Sequence, residues 1–270
     1  MAADDPLRSK IVAGGTALVL MMRQGLVAPE RLIALKHIPD LDGIEDRGEV
    51  VAIGACATLT GVASSPLVSS ALPSLAYACR AVANVRVRNV ATLGGNLAEA
   101  DYASDPPAVL ISLGAFCEVA GVGGARTVPV ADLITGLYTT DLQEGEVITR
   151  IVVPKPASGT RANYIKYKSR SSEDRPCVGV ASISSTNPDG SIASLSVAVG
   201  AVAPTPQHFP DLLEGAVGQR LDDSLAEEIA EAYASRIEPM DDLRGSAWYR
   251  TQVIRALVKR SLLDTEVGIR

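Results

Sequence analysis

The chain has 270 residues, of which 47% are hydrophobic and 21% are charged, and its formal net charge is -6 at pH 7. This composition is typical of a globular protein that folds into two domains. The basic residues are scattered rather than grouped, which argues against a general surface for binding nucleic acid or membrane.

The beginning of the chain carries acids and a proline where a secretory signal has basic residues and an apolar core. No apolar run reaches the length of a membrane span, so we expect a cytoplasmic protein. The cysteines lie far apart in the sequence, which favours buried thiols over a zinc site or a local iron-sulfur site. They are Cys56, Cys79, Cys117 and Cys177.

The first third of the chain alternates between strand and helix patterns, which predicts α/β structure there. Strands are predicted at residues 10–15, 31–38 and 49–56, and helices at residues 16–25 and 65–83. We expect Gly25 to end the first helix and Pro73 to break or bend the second.

After residue 114 the pattern favours strands in a mixed or antiparallel sheet. Extended segments are predicted at residues 115–121, 125–133 and 146–154, and a meander at residues 164–169, 177–185 and 191–202. Residues 153–159 are rich in proline and are the predicted linker. Two helices, at residues 222–237 and 245–263, close the chain, the first capped by an acid or by Ser224.

Two glycine pairs stand out, in AGGTA at residues 13–17 and in TLGGN at residues 92–96. A pyrophosphate is held by backbone N–H groups at a turn or helix start, and glycine lets the backbone approach it closely. In the first loop the N–H groups of residues 14 to 17 and the Thr16 hydroxyl would be the donors, and the second loop repeats this inventory. Either pair alone is also typical of an ordinary tight turn.

Other nucleotide motifs are missing from the sequence. It contains no P-loop, and in GVGGAR, at residues 121–126, Arg126 stands where the Rossmann pattern needs its third glycine. That segment leads into an extended pattern, so we interpret it as a hairpin turn.

Asp105 directly precedes Pro106, which predicts an N-cap with proline at the first helical position. The same carboxylate would also accept a hydrogen bond from a ribose or ribitol hydroxyl, and the two roles are compatible. Glu99 and Asp101 are interpreted as solvated loop acids.

Lys166 and Lys168 alternate with apolar residues, so on a strand both lysines would share one face. A cation there would stabilise an anionic ligand or the charge of a reduced flavin. His37 and His208 have no nearby nucleophile pattern, so neither is assigned a catalytic role. We expect no catalytic residue and no metal ligand in this chain.

Several segments occur in a recognisable order, namely residues 13–18, 85–110, 142–154, 164–174 and 246–262. Together they resemble the FAD-binding medium subunit of the molybdenum hydroxylases, of the carbon monoxide dehydrogenase medium chain type, and the flavin domain of xanthine dehydrogenase. The resemblance covers nearly the whole chain, and the TLGGN block with its following aspartate is its most specific part.

The resemblance implies an α+β fold, with a two-subdomain FAD-binding domain of the PCMH type followed by a C-terminal domain of antiparallel sheet and helix bundle. It places the FAD-binding domain at residues 1–155, its first subdomain truncated at the start, and the C-terminal domain at residues 160–270. FAD is then expected between the two α/β subdomains.

The family pattern also implies site residues. The pyrophosphate loop corresponds to Ala13, Gly14, Gly15, Thr16 and Ala17, and the second FAD loop to Thr92, Leu93, Gly94, Gly95 and Asn96. Asp105 matches the acid that closes the second block, Ile148 matches an apolar flavin contact, and Lys166 matches the lysine of a Y-x-K motif.

The chain departs from the family pattern in three places. It begins almost at the first glycine loop, without the usual preceding strand-helix unit. Relatives of the carbon monoxide type often carry an aromatic near the flavin where this chain has Arg175 after Asp174. The family's H-A-D-P reads E-A-D-Y at residues 99–102, so Glu99 and Asp101 are left out of the predicted site.

Such a subunit is expected to transfer electrons rather than bind the organic substrate. The resemblance implies a large partner subunit with the molybdenum cofactor and a small partner with two iron-sulfur clusters, assembled as a dimer of heterotrimers. The FAD would pass electrons from the clusters to an external acceptor. It is expected to be non-covalent, since neither loop contains His or Cys.

Two other functions compete with this one. The first is a free-standing FAD-dependent oxidase or reductase with its own substrate pocket, and the second is a non-catalytic FAD-dependent scaffold.

Overall fold

The structure, a computed structural model, describes residues 8–169 and 175–264. Its strands are β1 (Ser9–Val12), β2 (Arg31–Ala34), β3 (Ile44–Asp46), β4 (Val50–Gly54), β5 (Phe116–Gly121), β6 (Gly124–Pro129), β7 (Ile134–Gly136), β8 (Thr139–Thr140), β9 (Val147–Pro154), β10 (Arg161–Tyr167), β11 (Val178–Thr186), β12 (Ile192–Gly200) and β13 (Gln207–His208). Its α-helices are α1 (Leu18–Arg23), α2 (Leu59–Ser64), α3 (Pro66–Ala71), α4 (Pro73–Ala81), α5 (Val85–Arg88), α6 (Leu93–Glu99), α7 (Pro106–Ser112), α8 (Val130–Leu133), α9 (Asp223–Arg236) and α10 (Ala247–Leu263).

The first strand-helix-strand unit forms a small parallel pair. Strand β1 runs beside β2, and α1 connects them. Gly25 follows α1 with a φ of 71°, a conformation that favours glycine, and the Leu26 N–H donates to the Met21 carbonyl at 2.9 Å. The predicted strand, glycine turn and glycine-terminated helix are therefore confirmed.

Beyond β2 the prediction of alternating α/β structure is wrong. Strands β3, β4, β9, β5 and β6 lie in that order in one sheet, and every neighbouring pair is antiparallel. Strand β4 pairs with β9, which comes almost one hundred residues later, because helices α2 to α7 pack over the sheet instead of returning the chain to a parallel neighbour. The predicted break at Pro73 is confirmed, since α3 ends at Ala71 and α4 begins at Pro73.

Helix α7 lies between the two halves of the molecule. Every one of its residues is buried, and it contacts α4 on one side and strands β11 and β12 on the other. A helix that is apolar all round has no solvent face and belongs in a core. Through α7 the core of the five-stranded sheet continues to Tyr164 and Ala181 in the C-terminal half.

The C-terminal half is an antiparallel sheet covered by two helices. Strands β10 to β13 pair in chain order, as the predicted meander requires. Helices α9 and α10 pack against each other and close a second core. The Asp222 side chain accepts the Leu225 N–H at 2.9 Å, which confirms an acidic cap for the first of these helices.

Two further expectations from the sequence concern the cysteines and membrane-spanning helices. Cys56, Cys79, Cys117 and Cys177 are all buried free thiols, as expected. In the part of the chain that the structure describes, no helix combines the length and the apolar character that crossing a membrane requires.

Candidate functional site

A cleft of about 590 Å³ runs between the β1–α1 loop and helix α6. It is also lined by residues from β9 and by the end of β10. The sequence-predicted site residues that line it are Ala13, Gly14, Gly15, Thr16, Ala17, Thr92, Gly94, Gly95, Asn96, Asp105, Ile148 and Lys166. Leu93 does not line it, because its side chain is fully buried in the core.

The two glycine loops touch each other. A Cβ placed on Gly14 would lie 2.0 Å from the Val90 carbonyl oxygen and 2.9 Å from the Ala91 Cα, which are backbone atoms that cannot swing aside. A Cβ on Gly95 would lie 3.5 Å from the Ala13 Cβ. Glycine at residue 14 is therefore what allows the loops to converge on one cleft.

The first loop offers free backbone donors. Among the described residues, no acceptor is found for the N–H groups of residues 14 to 17 or for the Thr16 hydroxyl. The Gly15 and Ala17 carbonyls are in use, since they accept the Val19 and Met21 N–H groups at 3.0 and 3.1 Å. Gly15 has a φ of 70°, which turns the chain between β1 and α1. Within the part of the chain that the structure describes, the loop is thus a set of donors without partners.

The second loop does not repeat that arrangement. The Leu93 and Gly94 N–H groups donate to the Ala57 and Ala55 carbonyls at 3.0 and 2.9 Å. The Gly95 N–H donates to the Thr92 Oγ1 at 3.0 Å, and the Asn96 N–H donates to the Thr92 carbonyl. The expectation of a second backbone cradle is therefore wrong, because these groups anchor the start of α6.

The second loop presents side-chain donors to the cleft, and its glycines pack closely against the protein. Thr92 is the N-cap of α6, and its hydroxyl proton remains available to a further acceptor. The Asn96 Oδ1 accepts the Ser104 hydroxyl at 2.8 Å, which leaves the amide nitrogen to donate elsewhere. A Cβ on Gly94 would lie 2.5 Å from the Ala55 Cβ, so this glycine seats α6 on the end of β4.

Asp105 occupies a buried ion pair rather than a helix cap. It precedes α7, but its side chain accepts no N–H from that helix. Its Oδ1 accepts the Tyr164 hydroxyl at 2.7 Å, and its Oδ2 accepts the Lys166 ammonium at 2.9 Å. The ammonium also donates to the Ala81 carbonyl at 2.7 Å. The predicted capping role is wrong, because the carboxylate has turned toward a charged partner on β10.

The ion pair of Asp105 and Lys166 is almost completely shielded from solvent. The side chains of Lys166 and Asp105 are each 3% exposed. Burial raises the pKa of the Asp105 carboxyl, while the Lys166 charge and the Tyr164 hydroxyl oppose that rise. Because both oxygens accept hydrogen bonds and one donor is an ammonium, the pair is held as an ion pair. It links α4, α7 and β10 at the base of the cleft.

The loop between α6 and α7 joins the two halves of the molecule. The Asp101 carboxylate pairs with Arg175 at 2.8 Å, and the Tyr102 hydroxyl donates to the Asp242 carboxylate at 2.8 Å. Asp105 adds the pair with β10 already described. Three residues in five thus reach across to the C-terminal half, which explains why this short polar stretch lies between apolar helices.

Some cleft residues are not in the predicted set. Glu99, Asp101, Arg175 and Lys10 all line the cleft, although the first two were interpreted as solvated acids. Burial and the neighbouring Asp101 carboxylate raise the pKa of Glu99, which an acid in open solvent would not experience. The sequence does contain a signal for Glu99 as a cleft residue. Residues three apart in a helix share a face, so Glu99 lies on the same face of α6 as Asn96.

Other sequence expectations lie outside the cleft or outside the described residues. Neither His37 nor His208 lines it. Lys168 lies just beyond β10 and acts on Asp105 through its charge, so only Lys166 of the two lysines lies in the strand. Asp174 and the beginning of the chain, residues 1–7, are not among the described residues.

Two family models together match most of this chain. Residues 2–156 match the FAD binding domain in molybdopterin dehydrogenase, and residues 163–265 match the CO dehydrogenase flavoprotein C-terminal domain. The chain belongs to the FAD-binding molybdopterin dehydrogenase family.

Individual relatives agree with this assignment. The nicotine 6-hydroxylase medium subunit of Paenarthrobacter nicotinovorans is 35% identical, and the match covers 95% of this chain and 89% of the relative. The carbon monoxide dehydrogenase medium chain of Hydrogenophaga pseudoflava is also 35% identical, with 94% and 88% covered.

Solved structures share the fold. Carbon monoxide dehydrogenase from Hydrogenophaga pseudoflava superposes with a TM-score of 0.91 at 36% identity, covering 96% of this chain and 89% of that chain. Quinoline 2-oxidoreductase from Pseudomonas putida 86 gives a TM-score of 0.91 at 31% identity, covering 98% and 91%. The predicted α+β fold and the resemblance to the molybdenum hydroxylase flavoproteins are confirmed.

As a member of this family, the chain is an FAD-binding oxidoreductase subunit. Its residues fit that cofactor. The open N–H groups of residues 14 to 17 are suited to a pyrophosphate, and the Gly14 contact keeps the second loop at the same cleft.

Proposed function

We propose that this chain is the electron-transfer subunit of a molybdenum hydroxylase, holding FAD in the cleft between the β1–α1 loop and α6. The observation that carries the proposal is the convergence of two glycine loops, about eighty residues apart in sequence, with free donors on the first of them. FAD supplies reversible redox chemistry when it is bound. The chain's own contribution is to bind, orient and electrostatically surround that group.

Each part of the cleft has a proposed task. The N–H groups of residues 14 to 17, between Ala13 and α1, bind the pyrophosphate, with the Thr16 hydroxyl as a further donor. Thr92 and Asn96 supply side-chain donors, while Gly94 and Gly95 keep α6 close to the ligand. Ile148, which is buried, provides an apolar contact for the flavin.

Asp105 and Lys166 have a positioning task. Their ion pair fixes α7 against β10 and Ala81, and so sets the width of the cleft from below. Leu93 acts in the same indirect way, because it anchors α6 in the core.

We also propose that the chain divides into an FAD-binding domain at residues 1–155 and a C-terminal domain at residues 160–270. Two hydrophobic cores support this division, one centred on the five-stranded sheet, which also takes in Tyr164 and Ala181, and one between β11, β12 and the last two helices. The short connection between β9 and β10, from Pro154 to Arg161, is the boundary.

The partners in this proposal are a small subunit with two iron-sulfur clusters and a large subunit with the molybdenum cofactor, in a dimer of heterotrimers in the cytoplasm. The names of the relatives support it, since they are medium subunits or medium chains. The flavin would accept electrons from the partner's clusters and pass them to an external acceptor.

A reconstitution experiment tests this function. The chain is stripped of flavin and titrated with FAD, and we expect one tightly bound FAD that acid or heat releases unmodified. Reduction by the organic substrate should occur in the assembled complex and not in the isolated chain. Failure to bind FAD would contradict the proposal, and turnover of a substrate by the isolated chain would favour a free-standing oxidase or reductase.

A further inference from the structure

A second cavity, of about 280 Å³, lies at one end of the C-terminal sheet and shares no lining residue with the cleft between the glycine loops. It forms where β10 begins, where β11 ends and turns into β12, and where residues 220–221 approach α9. We call it the sheet-end pocket, and the residues that give it its chemistry are Arg161, Ser184, Asp189, Ile192, Arg220 and Leu221.

Ser184 presents an unused hydroxyl group to this pocket. The residue is only 9% exposed, and among the described residues its Oγ has no hydrogen-bond partner. Ser182, which shares its face of β11, donates to the Ser261 carbonyl at 2.8 Å. Buried polar groups in folded proteins normally have a partner. The Ser184 hydroxyl is therefore available to a group that enters the pocket.

Arg161 places a cation beside that hydroxyl. It stands opposite Ser184 in the pairing of β10 with β11, so the two side chains are neighbours on one face of the sheet. In residues 8–169 and 175–264, no acceptor is found for the Arg161 guanidinium. A guanidinium is a planar fork of N–H donors that matches the two oxygens of a carboxylate.

Arg220 brings a second guanidinium from a distant part of the chain. Its backbone forms an antiparallel bridge with Ser191, and its Nη2 donates to the Asp189 carbonyl at 3.0 Å, which leaves the remaining N–H groups for a ligand. The Asp189 carboxylate, the acid of the pocket, accepts the Ser191 N–H at 2.9 Å and the Ser191 hydroxyl at 2.6 Å. Two arginines and one aspartate leave an excess of one positive charge.

The rest of the pocket has an apolar wall. Ile192 is 1% exposed and lies at its base, and the half-buried Leu221 lies beside Arg220. We propose that the sheet-end pocket binds a small organic carboxylate. Arg161 and Arg220 hold the carboxylate, the Ser184 hydroxyl donates to it, and its hydrocarbon part lies against Leu221. Inorganic phosphate would engage the two cations but would leave the apolar wall uncovered.

The test is isothermal titration calorimetry of the purified full chain with butyrate, which combines a carboxylate with a short hydrocarbon chain. Butyramide, a neutral analogue of similar shape, and inorganic phosphate are the comparison ligands. Arg161→Met, Arg220→Met and Ser184→Ala each remove one proposed donor. Arg86→Met is the matched control, because it removes an exposed positive charge from α5, outside the pocket. Circular dichroism verifies that every variant is folded.

We expect butyrate to bind at one site at millimolar concentrations, and more tightly than butyramide or phosphate. Arg161→Met and Arg220→Met should each weaken butyrate binding at least about fivefold, and Ser184→Ala about threefold, because each removes a donor to the carboxylate. Arg86→Met should bind butyrate as the wild type does.

The inference is overturned if the wild-type chain does not bind butyrate, or if butyramide binds as tightly. It is also overturned if the folded arginine variants bind butyrate unchanged, or if phosphate binds more tightly than butyrate, since the apolar wall would then have no role. None of these outcomes depends on FAD, so failure here leaves the proposed function intact.

Discussion

Replacing Lys166 with Met separates a structural role for this lysine from direct contact with the ligand. Methionine has a similar length and no charge, so Lys166→Met keeps most of the packing and removes the ammonium. In the folded chain the Asp105 carboxylate would then remain buried with the Tyr164 hydroxyl as its donor. The Ala81 carbonyl would lose the donor that lies 2.7 Å away.

The size of the effect follows from the burial of the pair. Its side chains are each 3% exposed, so solvent cannot replace the lost partner. Removing one member of a buried ion pair costs about 3–5 kcal/mol of unfolding free energy, because the other charge stays uncompensated. At about 2–4 °C per kcal/mol, the melting temperature should fall by roughly 6–20 °C.

The measurement is the unfolding of the flavin-free chain by urea and by heat, followed by circular dichroism. Lys155→Met is the matched control, because Lys155 pairs with Asp46 at the surface, with side chains 25% and 53% exposed. Removal of that exposed pair should change stability by less than about 1 kcal/mol. The double variant Asp105→Asn with Lys166→Met should recover part of the loss.

A flavin-free Lys166→Met chain as stable as the wild type would refute this reasoning. The ammonium would then have no structural task, and a loss confined to FAD affinity would make Lys166 a direct ligand contact.

Two further predictions concern the first glycine loop and the edge of the cleft. Gly14→Ala should weaken FAD binding at least about tenfold, or about 1.4 kcal/mol, because its Cβ would lie 2.0 Å from the Val90 carbonyl oxygen and push the loops apart. Gly123→Ala, where a Cβ meets nothing within 4 Å, is the control in fluorescence titrations, and equal FAD affinities for the two variants would contradict the clash argument. Hydrogen bonds from Arg126 lower the pKa of Glu146 from 4.5 to about 2, so its charged form stabilises the fold above pH 4.5 and that contribution is lost as the pH falls toward 2. In urea unfolding the wild type should therefore be more stable than Glu146→Gln at pH 6, and it should lose that advantage between pH 4.5 and 2. A difference in unfolding free energy that does not change with pH would contradict the assigned role of the Glu146 charge.

Local signals in the sequence predicted the elements well where a single residue type decides the backbone. Gly25 ends α1 because a left-handed residue favours glycine, and Pro73 separates α3 from α4 because proline lacks the N–H that would continue the helix. Gly14 and Gly15 were recognised because glycine lets the backbone approach a pyrophosphate closely. Pairing of β4 with β9 could not be predicted, since both are apolar strands whose partners depend on the packing of all the helices between them.

The sequence by itself determined the family, the two glycine loops and the residue types available for a dinucleotide cofactor, because these depend on local backbone requirements and on motifs in a fixed order. The tertiary structure alone decided how those residues are used. It left the N–H groups of residues 14 to 17 open but committed those of residues 93 to 96 to the protein, and it turned Asp105 from a helix cap into the partner of Lys166. A hydrogen-bonding group can serve one partner or another, and which one it meets depends on distances that only the folded chain sets.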